Sequence, residues 1–301
     1  MKKGLLLLLL VPSLFAYSQQ GTKADQDREK KFQEQAAKEV DTTKKLGWNP
    51  SAVAGLNLTQ ASFKDWVAGG ENSLAYNVWM AAQFLHLAEK TEWSNSLRLT
   101  FGQARLGNKG LRKTDDEIYF ESLLIYRLGE VINPYAALTF RSQFAAGYDY
   151  PSETTRVQTS KFLDPAYLTQ SAGVAFQISP VITTRFGVGL REKLANTFAP
   201  IWTDDPTTAK LEKARIDGGL ESVTSVEWPF AENMKYSSRL ELFDPFKTLD
   251  EVYMRWDNLL AAKVNKYVSV SFQLQMLQDV QVTRRTQMKE MLALGISYTL
   301  L

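Results

Sequence analysis

From position 48 onward, apolar and polar residues alternate in segment after segment, with turn-forming residues between the segments. In 267–276 one parity holds Val268, Val270, Phe272, Leu274 and Met276, and the other holds Tyr267, Ser269, Ser271, Gln273 and Gln275. In 286–300 Leu292, Leu294, Ile296, Tyr298 and Leu300 oppose Ala293, Gly295, Ser297 and Thr299. In 135–147 Ala136, Leu138, Phe140, Phe144 and Ala146 oppose Thr139, Arg141 and Gln143. Side chains along a strand point to alternate faces, so each segment predicts a strand with one greasy and one polar side. The pattern places strands at 48–59, 74–87, 92–106, 115–128, 134–148, 166–178, 181–194, 213–228, 233–243, 251–264, 267–277 and 286–300. A barrel with a polar interior and a lipid-facing exterior requires this alternation. A secreted soluble β-sandwich requires it too, so alternation alone leaves both open.

Connection lengths separate the two. Long connections are predicted at 60–73, 107–114, 149–165, 195–212, 244–250 and 278–285; short ones fall at 88–91, 129–133, 179–180, 229–232 and 265–266. Bacterial outer-membrane barrels have short turns at one end, longer loops at the other and an even strand number. A sandwich has no reason to sort its loops in this way. Aromatic positions agree with the barrel. Trp93, Tyr126, Trp228 and Tyr298 fall on the lipid-facing parity near the short-turn ends, and Tyr76 and Tyr148 fall near the opposite ends. Two such belts are expected where amphipathic rings sit at headgroup depth. The expected fold is therefore all-β, a transmembrane antiparallel up-and-down β-barrel of about twelve strands.

Composition narrows the setting. Of 301 residues 45% are hydrophobic and 23% charged, too polar for a helical membrane protein and suited to a barrel that shows lipid only alternate residues. Residues 1–18 read as a signal peptide: Lys2 and Lys3, an apolar run through Leu5 to Val11, and a small-x-small site at Ala16-Tyr17-Ser18. Residues 19–47 form a polar lead, rich in lysine, glutamate and glutamine, expected to be helical or disordered in the periplasm. The barrel takes 48–301. With Lys2 and Lys3 in the leader, basic and acidic residues balance, which gives no support for nucleic-acid binding. The absence of cysteine excludes disulfides, thiol catalysis and thiolate metal sites. The expected location is the outer membrane of a Gram-negative cell. The expected partners are lipid, lipopolysaccharide, the barrel assembly machinery and a small polar solute.

Carried along each strand, the polar parity holds Arg98, Glu121, Arg141 and Arg185, then Arg191, Glu221, Arg239 and Glu241, and finally Arg255, Asp257 and Lys263. Two readings stay open for these lumen charges: an ion-pair network that fills the interior, or a charged pore for small polar solutes. Gly187, Gly189, Gly219 and Ala137 share the inward parity and leave room. Candidate chemistry is sparse. The single histidine, His86, ends a strand at a short turn, where a lipid-hydrolysing barrel would need it beside a serine nucleophile. Asp115-Asp116-Glu117 and Asp204-Asp205 read as solvated loop or rim charge; a calcium site needs several convergent oxygens. No enzyme activity, metal or cofactor is expected.

One segment is distinctive: Leu58-Thr59-Gln60-Ala61-Ser62-Phe63-Lys64-Asp65-Trp66-Val67-Ala68-Gly69-Gly70-Glu71-Asn72-Ser73. It resembles the N-terminal signature of domain-of-unknown-function family 3078, exported proteins of Bacteroidetes-type bacteria, with Thr59 where serine is commoner. Trp256-Asp257-Asn258-Leu259-Leu260-Ala261-Ala262-Lys263-Val264-Asn265-Lys266-Tyr267-Val268-Ser269-Val270 resembles the penultimate hairpin of the same family. The resemblance implies an exported barrel and brings no reaction. Within the signature loop, Gly69 and Gly70 permit a tight turn, Glu71, Asn72 and Ser73 supply caps, and Phe63 and Trp66 supply apolar bulk. The loop either folds into the barrel mouth as a lid or simply closes its hairpin. Three functions follow as alternatives: a channel for small polar solutes, a non-conducting structural or partner-binding barrel, and a barrel lipid hydrolase.

Overall fold

A computed structural model describes residues 45–300, apart from 65, 66, 69, 130, 153, 206, 250 and 266. The signal peptide and nearly all of the polar lead lie outside the described residues, as do Trp66 and Gly69 of the signature loop. Twelve antiparallel strands close into a barrel. They are β1 (Gly47–Ala61), β2 (Ser73–Leu87), β3 (Thr91–Leu106), β4 (Arg112–Tyr126), β5 (Ile132–Ser142), β8 (Ala166–Ser179), β9 (Ile182–Leu194), β10 (Ala214–Ala231), β11 (Met234–Pro245), β12 (Tyr253–Lys263), β13 (Val268–Asp279) and β14 (Thr283–Thr299). Each pairs with its neighbours in the chain, and β1 closes on β14. Two short strands, β6 (Gly147–Asp149) and β7 (Val157–Ser160), form a separate hairpin within the β5–β8 connection. A single turn of helix, α1 (Ala199–Trp202), sits in the β9–β10 connection.

The short turns are held by side chains that replace missing ladder partners. Asn133 accepts the backbone N–H groups of Leu128 and Gly129, and Asn265 accepts those of Tyr267 and Val268. Outward parity carries Leu56, Val78, Phe186, Val188, Leu292, Leu294 and Ile296, all exposed. Exposed large apolar side chains over a whole barrel wall are what a lipid-facing surface requires. Trp93, Tyr126, Trp228 and Tyr298 also face outward and are exposed near the short-turn ends. Trp93 donates its indole N–H to Ser122 at 2.9 Å, and its ring lies against Trp48, which in turn meets His86 edge-on.

Three sequence expectations are corrected. The predicted strand 134–148 stops at Ser142, because the Asp116 carboxylate accepts the N–H groups of Phe144 and Ala145 and draws the chain out of the ladder. Tyr148 therefore lies in the β6–β7 hairpin under Arg156 and belongs to no belt of the barrel wall. The predicted long connection 278–285 is a turn of three residues, since β13 runs to Asp279 and β14 begins at Thr283. Its polar residues extend the strands beyond the apolar zone. Finally, Asp115, Asp116 and Glu117 lie within β4, where Asp115 is buried, and are not solvated rim charge.

The inward glycines do not simply leave space. Phe243 on β11 is 4% exposed and rests on Gly219 of β10, where a Cβ would come within 2.8 Å of its ring. The missing side chain on one strand accommodates the ring of the next.

Candidate functional site

The barrel interior at mid-height is crossed by arginine–carboxylate pairs. β4 contributes Glu117, Tyr119 and Glu121 on one parity, and β12 stands six places away in the ring of twelve, on the opposite wall. Arg255 of β12 reaches across to Glu117 at 2.6 Å while its Nε holds Asp257 at 2.9 Å. Arg98 of β3 and Arg141 of β5 also donate to Glu117, each at 3.1 Å. Arg141 continues to Glu241 of β11 at 2.6 Å. Arg239 of β11 binds Glu241 at 2.7 Å and Glu121 at 2.6 Å, and Arg185 of β9 binds the same Glu121 oxygen at 2.7 Å. Arg185 also approaches Glu221 at 3.9 Å, and Tyr135 donates to that carboxylate at 3.5 Å.

Tyr119 is the hub. It is buried, and the guanidinium carbons of Arg141, Arg98 and Arg239 lie 4.4, 4.7 and 5.9 Å from its ring centroid. Arg guanidinium groups favour such stacking because they are planar and weakly hydrated. Five arginines (98, 141, 185, 239, 255) meet five carboxylates (117, 121, 221, 241, 257), so the network is formally neutral. Among the described residues Arg191 pairs with no carboxylate of this set; its guanidinium carbon lies 3.3 Å from the Tyr253 ring centroid and close to Tyr167 and Phe243. The spaces left beside Arg191 measure about 30 and 10 Å³, room for at most a water molecule.

The predicted lumen charges thus come together, with two exceptions: Arg191, which faces inward but stacks on Tyr253 instead of joining an ion pair of the set, and Lys263. Lys263 has the inward parity but is exposed beside the β12–β13 turn, clear of the network. Sequence reasoning missed Glu117, the carboxylate shared by three arginines, together with the buried pair Lys193–Asp279 at 2.9 Å and the half-buried pair Lys289–Asp115 at 2.6 Å. Parity counted back from Glu121 through Tyr119 reaches both Glu117 and Asp115, and was the available signal.

Above the network, toward the long-loop end, lies a cavity of about 360 Å³. Its wall includes Thr100, Gln273, Gln275 and Gln287 from the strands and Trp202 from α1, with Arg98, Glu117, Arg141 and Arg255 forming its floor. None of the described residues of the signature loop lines it. Instead Asn72 accepts the Phe63 N–H at 2.7 Å, Gly70 at φ +152° lies against the Phe63 ring, and Glu71 lies against Gly107 of the neighbouring turn. Ser73 opens β2. The described residues of the loop close its own hairpin and latch it to the next one. Deleting residues 61–70 is accordingly expected to leave any ligand affinity of this cavity unchanged; a large affinity change on calorimetric titration would restore the lid reading.

Asp205 in the long β9–β10 loop accepts the hydroxyl and N–H of Thr207, and these bonds hold its carboxyl below the usual range. Asp204 accepts the Glu212 N–H. The two acids cap their own loop, and no group of three or more metal-ligating side chains occurs among the described residues.

A closed twelve-stranded antiparallel β-barrel, apolar outside and charge-paired within, is the class that these features define. A model of the family described as "Protein of unknown function (DUF3078)" matches residues 58–148. No curated protein matches in sequence. Similar solved structures include the translocator domain of autotransporter NalP from Neisseria meningitidis, 9% identical, covering 91% of this chain and 96% of that one with a TM-score of 0.38. An outer membrane channel from Pseudomonas putida F1 is 10% identical, covers 85% and 96% and has a TM-score of 0.38. The NanC porin is 8% identical, covers 82% and 97% and has the same score.

Proposed function

We propose that this chain is an outer-membrane β-barrel whose lumen is shut at mid-height by its own side chains, a non-conducting barrel that presents its long-loop end for binding. The contact of Arg255 with Glu117 across opposite walls, tied in by Arg141–Glu241 and Arg239–Glu121, carries the reading. An ion passing through would have to displace guanidinium groups that are each hydrogen-bonded to carboxylates, in a bore with little water to compensate them. The even strand number, the apolar outer wall and the three longest connections, β1–β2, β5–β8 and β9–β10, all at one end, support placement in the outer membrane of a Gram-negative cell. There the wall would meet lipid and lipopolysaccharide after insertion by the assembly machinery. The reading includes no catalytic step, and His86 serves as an interfacial ring beside Trp48.

A second reading, a gated channel for small polar solutes, is favoured by one observation. The obstruction consists of strand-borne side chains, so clearing it would call for side-chain rotation and no rearrangement of the wall. Planar-bilayer recording on the refolded barrel decides between them. A protein that is folded by gel mobility shift and electrically silent agrees with closure; stable ion-conducting steps from the unmodified chain would replace it with the channel.

A further inference from the structure

We infer that the cavity at the long-loop end is a binding site for a small neutral polyhydroxylated solute, of the size of a mono- or disaccharide. The inference rests on the reading above in one respect: the ion-pair network forms the floor of the site. At about 360 Å³ the cavity falls within the size of small-molecule sites, about 300–1,000 Å³.

The chemistry of the wall selects the ligand. Its charges are already matched: Lys289 with Asp115 at 2.6 Å, Lys113 with Asp116 at 2.9 Å, Arg98 with Glu117 at 3.1 Å, and Asp279 with Lys193 at 2.9 Å. A charged solute would have to open one of these pairs and strand the other member. The hydrogen-bonding capacity left over is neutral. Gln273, Gln287 and Thr100 line the cavity and make no side-chain hydrogen bond to any described residue, whereas Gln275 spends only one N–H, on Asp257. An amide offers two donors and a carbonyl acceptor, and a hydroxyl offers both functions. These match a solute whose hydroxyl groups donate and accept in alternation.

Trp202 supplies the apolar element. Its indole N–H is spent on the Thr159 carbonyl at 2.9 Å, which fixes the ring between α1 and β7 and leaves it no further polar demand. An immobilised aromatic surface beside unspent amides suits a pyranose, which has an apolar C–H face and a polar hydroxyl edge. A wall with both elements distinguishes such a solute from a simple ion or a small amide.

The test is isothermal titration calorimetry on the folded full-length barrel in detergent, with glucose, maltose and lactose as neutral probes and glucuronate as the acidic counterpart. Saturable binding of a neutral sugar, unchanged from low to high salt, is expected. Gln273→Ala with Gln287→Ala, and separately Trp202→Ala, should each weaken it by about tenfold or more, with partial recovery in Trp202→Phe. Gel mobility shift confirms that each variant is folded, and Gln273→Ala alone serves if the double variant is not. Failure of all three neutral sugars to bind saturably overturns the inference. So does binding of glucuronate alone with strong salt dependence, which would mean that an anion displaces Glu117. Loss of the site with a silent bilayer leaves the closed-barrel reading intact, whereas sugar binding by a conducting barrel removes closure and keeps the site.

Discussion

Glu121→Ala is expected to reduce the unfolding free energy of the barrel by about 3–5 kcal/mol, because it leaves the buried Arg185 guanidinium without a close carboxylate. Glu121 and Arg185 side chains are 9% and 6% exposed, and one Glu121 oxygen accepts from both Arg185 and Arg239. After truncation Arg185 retains only the distant Glu221 at 3.9 Å, although Arg239 keeps Glu241. The Lys235–Glu227 pair at the short-turn end provides the control. Both partners are more than half exposed, so Glu227→Ala should cost about 0–1 kcal/mol. Guanidinium titration in lipid vesicles, followed by tryptophan fluorescence, measures both. Equal losses from the two variants would mean that water reaches Glu121 as freely as the rim.

Replacing Arg141, Arg239 and Arg255 together by alanine is expected to turn a silent barrel into a conducting one. These three side chains reach across the bore from β5, β11 and β12, and their removal takes out the contacts that join its opposite walls. Glu241 would then lose both of its arginines, while Glu117 and Asp257 would share Arg98 and Glu121 would keep Arg185, so carboxylates would outnumber guanidinium groups and the current should be cation-selective. Bilayer recordings with a salt gradient read both properties. A triple variant that folds and stays silent would place the obstruction elsewhere; anion selectivity would show that the carboxylates had turned away from the bore.

The strand pattern was legible because the environment changes with every residue: an apolar outer wall and a charged lumen impose opposite demands on adjacent positions. Parity therefore places Arg98, Glu121, Arg141, Arg185, Arg239, Glu241, Arg255 and Asp257 inside. It fails near the strand ends, where both faces are wet. Lys263 has the inward parity yet is exposed, and Asp115-Asp116-Glu117, at the start of the predicted strand 115–128, reads as solvated rim charge although β4 begins at Arg112 and Asp115 is buried. Partners were not legible at all. Arg255 and Glu117 are 138 residues apart, and their meeting depends on ring order and register, which no local pattern encodes. The cavity above them is hidden for the same reason: Gln273, Gln287 and Trp202 come from three separate elements, and each is unremarkable alone. The fold of the β5–β8 connection was missed because one carboxylate, Asp116, terminates a strand from outside it.

The joint between the first and last strands has a consequence for biogenesis. β1 and β14 share a register of only five residue pairs, Val53↔Thr299 to Asn57↔Gly295, whereas β1 and β2 pair along their whole length. Every other seam can zip as soon as the next strand emerges, but this one waits for the end of the chain. Until then β1 is an open edge, apolar on one side and with unsatisfied backbone groups along its length, a template for pairing with any extended chain nearby. A protein of this design is most exposed to mispairing in the interval between making its first strand and its last. It therefore depends on whatever shelters that edge until the ring is complete.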